Sequence, residues 1–160
     1  DIAKMNYESY SGVQPYLMPR EAYTLSIPKG SLTQEERLEI ESHVTHTYEF
    51  LRKIPWTAEL KSIPSIAYGH HEKLNGRGYP RKITADAIPI QSRIMTVSDI
   101  FDALSASDRP YKKAVPPEKA LDILGLEVKD GMLDPLLVDL FIEAKIYEKT
   151  RQMVVGSLPV

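Results

Sequence analysis

HHEKLNGRGYP, residues 70 to 80, places two of the chain's four histidines side by side, adds a glutamate, and then interrupts the backbone with two glycines and a proline. Adjacent histidines have no ordinary use in an apolar core, because each imidazole must find a polar partner when it leaves water. The segment that carries them, TAELKSIPSIAYGHHEKLNG (57–76), reads as a helix restarted at Pro64. It ends near Asn75-Gly76, where glycine accepts the left-handed conformation of a helix C-cap.

Working outward, the flanking segments are helical too. In SLTQEERLEIESHVTHTYEFLRKI (31–54), Thr33 and Glu36 have the spacing of a capping box, and Ile40, Val44, Tyr48 and Leu51 recur on one face. IPIQSRIMTVSDIFDALSAS (88–107) is the most apolar helix; its periodicity turns Ile90, Ile94, Val97, Phe101 and Leu104 inward. VPPEKALDILG (115–125) and LDPLLVDLFIEAKIYEK (133–149) make two more. Pro117 suits a first helical turn, and Asp134-Pro135 pairs an N-cap with proline at the first helical position. Residues 5–30 keep no period and read as an irregular, partly packed insertion whose tyrosines need a surface to lie on. TRQMVVGSL (150–158) is the only strand-like segment. The expected fold is all-α, a single domain over 1–160.

Composition bounds the chemistry. A 160-residue chain with 42% hydrophobic and 26% charged residues supports one soluble core. The net charge of −2 makes no case for a nucleic-acid polymer as partner, although a ligand with few phosphates needs only local cations. Without cysteine, any metal must be held by His, Asp or Glu. No apolar run is long enough to span a bilayer and the start does not read as a signal peptide, so a cytoplasmic setting is expected.

His43 follows Ile40 by three and precedes Val44, His70 continues the Ile63, Ile66, Ala67 face, and His71 follows Ala67 by four. Asp99 and Asp102 lie in the most apolar helix. Taken singly, an inward histidine is a hydrogen-bonded core residue, Asp102 a brace for a neighbouring helix end, and His46 a surface residue. Taken together, three histidines and an aspartate from three helices form a set able to meet around a metal in a helical core. Helical neighbours diverge by about 100°, so His70 and His71 would each serve one of two adjacent ions. Nitrogen and oxygen donors suit Fe, Mn or Zn.

HHEKLNGRGYP followed by IPIQSRIMTVSDIFDALSASDRPYKK resembles the HD-GYP family of the HD phosphohydrolase superfamily. KGSLTQEERLEIESH (29–43) and DGMLDPLLVDLF (130–141) extend the likeness from about residue 29 to residue 145. The opening DIAK resembles the tail of the family's HDxGK motif, so the part of the domain before its aspartate is expected to be missing from this chain, and residues 5–30 are longer than the family's usual connection. The resemblance implies an HD-domain helical bundle with cyclic-di-GMP phosphodiesterase activity, giving linear pGpG or GMP. It makes His43, His70, His71 and Asp99 metal ligands, Asp1 a bridging ligand, and Asp1 and Lys4 catalytic. Lys4, Tyr79, Arg109 and Lys112 would contact the substrate, with Lys113 an alternative to Lys112. Two or three divalent ions, Fe or Mn, are expected.

A hydroxide held between two such ions would attack phosphorus in line with the departing ribose oxygen, while cations offset the growing charge. Two other readings stand beside this one. A catalytically weak module would bind cyclic-di-GMP, or dock GGDEF-type diguanylate cyclase domains through the GYP loop. A related HD phosphohydrolase would act on another nucleotide.

Overall fold

The computed structural model describes residues 4–26, 32–106 and 114–149. They fall into two compact units, Asp1–Ser42 and His43–Val160. The chain is mostly helical, as its periodicity implies, and no described helix is long and apolar enough to cross a membrane.

The first unit departs from the sequence reading. Where 5–30 reads as irregular, strands β1 (Asn6–Ser9) and β2 (Gly12–Pro15) pair antiparallel and a short helix α1 (Pro19–Leu25) follows. Gly12, at φ +103°, lets the chain reverse after Tyr10-Ser11, and the Ser9 hydroxyl donates to its carbonyl at 2.9 Å. These strands are four residues long and largely exposed on both faces, so no apolar alternation marks them in the sequence. The Glu21 carboxylate accepts from the Met18 amide at 2.8 Å at the start of α1. Helix α2 (Gln34–Leu51) begins with the expected capping box: the Thr33 amide donates to Glu36 at 2.7 Å, and the Glu36 amide to the Thr33 hydroxyl at 3.2 Å. Ile40, expected inward, is exposed.

In the second unit, helices α4 (Ile90–Ser105), α5 (Pro117–Lys129) and α6 (Pro135–Glu143) enclose the core. Val97 and Phe101 meet Ala120, Leu124, Leu133, Val138 and Phe141 there. The Phe101 and Phe141 rings lie 5.3 Å apart and Tyr147 closes on both. Asp134 caps α6 as its sequence implies, accepting from the Leu136 amide, and is also held by Arg93 at 3.0 Å.

Two expectations about the helices are corrected, the first of them in α4. Ile90 and Ile94 are each 48% exposed, and the inner face of the first half of the helix is carried by Ser92 and Thr96, both buried. Their hydroxyls donate to the Ile66 carbonyl at 2.7 Å and the His70 carbonyl at 2.6 Å, which removes the usual cost of burying them. The other correction concerns the preceding helix. The helix read over 57–76 shrinks to α3 (Ile63–Tyr68), ending at Gly69, and His70 to Leu74 run through turns. A side chain at Gly69 would stand only 2.9 Å from the Ser92 hydroxyl, so α4 packs where any other residue would intrude.

Leu124 is fully buried among α4, α5 and α6. Leu124→Ala is expected to cost about 2–5 kcal/mol, read from denaturant unfolding, while leaving metal uptake unchanged once the protein is folded.

Candidate metal centre

Three imidazoles converge. His43 comes from α2, and His70 and His71 from the turn after α3; one ring nitrogen from each lies within 4.8 Å of the others. The His70 and His71 ring centres are 4.1 Å apart, and His43 stands 5.1 Å from His71 and 6.0 Å from His70. The divergence of helical neighbours, which assigned the adjacent pair to separate ions, does not apply, because both residues have left the helix. All three nitrogens are close enough to address one ion. His43 itself is exposed rather than core-facing.

Asp99 of α4 brings a carboxylate oxygen to 3.7 Å from His71 Nδ1. It too lies at the surface, its side chain 48% exposed, so α4 supplies it from the rim and not from the core. Asp102, one turn further, is exposed.

The two adjacent rings are oriented. His70 Nδ1 lies 2.5 Å from the Ala67 carbonyl, which selects the tautomer that leaves Nε2 as the donor nitrogen for a cation. The Thr96 hydroxyl donates to the His70 carbonyl. Tyr79 stacks on His71 with ring centres 4.7 Å apart, and its amide donates to the His71 carbonyl at 3.2 Å. The donor set, imidazole nitrogen with a nearby carboxylate, fits Fe, Mn or Zn.

The His71 ring is held well below its ordinary 6.5, at about 4. Burial is the largest cause, repulsion from His70 the next, and Asp99 pulls the other way. The neutral ring is the form that binds metal, so His71 is kept ready for a cation across the neutral range.

Sequence reasoning attached no role to Glu72, Ser92 or Thr96. Glu72 is buried inside the signature motif, accepting from the Arg81 amide at 2.7 Å and the Ile83 amide at 3.1 Å. At Gly78 an added Cβ would overlap the backbone of His71, Glu72 and Lys73. The close neighbour of Gly78 is thus the histidine turn itself. The turn is further tied to the end of α5 by Lys73 with Glu127 at 2.7 Å and by the Leu74 amide to the Met132 carbonyl. Of the other expected site residues, Asp1, Arg109, Lys112 and Lys113 lie outside the described residues, and Lys4 belongs to the first unit.

The family model of the HD domain matches residues 11–137. The chain belongs to the HD domain family. Among curated relatives of this HD-domain chain, the 3'3'-cGAMP-specific phosphodiesterase 3 of Vibrio cholerae is 43% identical over 95 residues, 59% of this chain and 20% of that protein. The cyclic di-GMP phosphodiesterase response regulator of Xanthomonas campestris pv. campestris is 35% identical over 116 residues, 72% of this chain and 30% of the relative. A cyclic di-GMP phosphodiesterase of Thermotoga maritima is 36% identical over 115 residues, 71% and 30% of the two chains. The HD-domain chain therefore spans only 20% to 30% of the length of these relatives. Their names agree with the HD-GYP resemblance read from residues 70–80.

Two outcomes are expected. The unfolded chain takes up a proton at His71 near 6.5 and the folded chain only near 4, so the metal-free protein should lose stability as pH falls through that window and none above it. Denaturant midpoints across the range check this, and His71→Gln should flatten the dependence. Gly78→Ala should lower stability by more than about 1 kcal/mol, because backbone rather than a flexible side chain must move; thermal unfolding reads it.

Proposed function

We propose that this chain is the catalytic HD-GYP module of a metal-dependent phosphodiesterase that hydrolyses a 3'–5'-linked cyclic dinucleotide, with cyclic-di-GMP as first substrate and 3'3'-cGAMP as the competing one. The observation that carries the proposal is the meeting of three imidazole nitrogens within 4.8 Å, beside Asp99 and under the ring of Tyr79. An electron-donating cluster of this kind is out of place in a docking surface, and the relatives' names favour a phosphodiesterase over the binding-module reading.

His43, His70, His71 and Asp99 would hold the metal, two or three Fe or Mn ions in the full site. Bound ions of this type supply an activated water and Lewis acidity toward a phosphodiester at neutral pH. The chain's own part is to place the substrate. Tyr79, seated against His71, brings an aromatic surface to the edge of the cluster, where a guanine base is the group to stack on it. Arg109 and Lys112 enter from the sequence as cations for phosphate oxygens, the guanidinium by its planar fork and the ammonium as a point charge. Hydrolysis forms one phosphorus–oxygen bond to the incoming water oxygen and breaks the bond to a ribose 3'-oxygen, which leaves with a proton. The first product is linear pGpG, and a second round gives GMP. A cytoplasmic setting belongs to the same reading.

The test uses protein reconstituted with Mn or Fe and separates products from cyclic-di-GMP and 3'3'-cGAMP. His70→Ala and Asp99→Ala should lose metal and lower turnover beyond the roughly 10–100-fold that changes outside the ligand shell cost, with helical content kept. Full hydrolysis in either variant would sink the assignment. Arg109→Ala should raise KM about tenfold with metal content unchanged, reflecting the loss of one charge-assisted phosphate contact.

A further inference from the structure

The side chain of Glu72 has no exposed surface, so its carboxylate needs polar partners inside the fold. Its two oxygens instead accept from two backbone amides that follow the GYP sequence, Arg81 and Ile83, and the Arg81 guanidinium approaches one of them at 3.9 Å. Between these points the chain folds back so that Gly78 lies on the backbone of His71 to Lys73, and the Tyr79 amide reaches the His71 carbonyl. The loop that carries the Tyr79 ring is thus closed at its base by one buried carboxylate, itself the neighbour of a candidate ligand.

We propose that Glu72 is a positioning residue: it fixes the height and tilt of the Tyr79 ring over His71, and so sets affinity for the base of the substrate without itself binding metal. This rests on the phosphodiesterase reading for the identity of the substrate, but the loop geometry does not. Two acceptors are needed because two N–H groups point at one site. A glutamine of the same shape keeps one acceptor and sets its NH2 against the second amide, donor against donor.

The experiment compares the wild type with Glu72→Gln and with Val138→Ala, a core truncation in α6 remote from the loop that serves as a control for general loss of stability. Backbone hydrogen exchange over residues 78–83, bound Mn per chain, and KM and kcat for cyclic-di-GMP are read on all three. Glu72→Gln is expected to exchange about tenfold faster in the loop, to keep its Mn, and to raise KM about tenfold with kcat little changed, the pattern of lost ground-state binding. Val138→Ala should show none of these at a matched unfolding midpoint. Loop exchange in Glu72→Gln no faster than in Val138→Ala would overturn the proposal, as would loss of Mn from the variant. Should Glu72→Gln fail to fold, Glu72→Asp, whose shorter stem draws the carboxylate back from both amides, is measured in the same way with the same outcomes. If the wild type takes no cyclic dinucleotide, the phosphodiesterase reading falls while the exchange comparison still decides Glu72.

Discussion

For two neighbouring imidazoles to face one point, the chain has to abandon helical geometry between them and what precedes them, and it does so at Gly69. Everything around the site follows from that break. The turn leaves backbone groups without helical partners, and α4 takes up two of the carbonyls with Ser92 and Thr96. The amides on the far side of the loop are taken up by Glu72. Gly69 permits the close approach of α4, and Gly78 the close approach of the returning loop.

The electrostatics run in the same direction as the geometry. Partial burial and the nearness of His70 oppose protonation of His71, so that ring favours the neutral state in which it offers a lone pair. Among the described residues Asp99 is the carboxylate that opposes this at His71, and it sits at the rim, where water moderates its pull. A cation would reverse the repulsion among the rings, which is the physical reason to read the cluster as a metal site rather than as a packing arrangement.

The apolar core lies behind this polar layer and shares α4 with it. One stretch of that helix, Val97 and Phe101, packs on α5 and α6, while the preceding turns turn hydroxyls toward α3 and the histidine turn. Arg93 lies in the same helix and joins the Asp134 cap of α6 to the Ala85 and Ile88 carbonyls. Asp99 is therefore carried on an element anchored at both ends of its buried face, which holds its carboxylate at a set distance from His71.

The sequence alone was enough for whatever depends on near neighbours or on one regular period. The Thr33–Glu36 box, the Asp134-Pro135 start of α6, the inward Val97 and Phe101, and the residue types able to bind metal were all legible, since each rests on spacing within a few residues. The hairpin was not, because short strands exposed on both faces leave no alternating signature. Ile90 and Ile94 were misplaced because periodicity assumes that apolar residues take the inner face, whereas here hydroxyls satisfied by distant carbonyls outcompete them. The early end of α3, and with it the shared focus of His70 and His71, was settled only in three dimensions: the contacts around the break join Ile66 to Ser92, His70 to Thr96, and Glu72 to Arg81 and Ile83, partners that local propensity does not weigh.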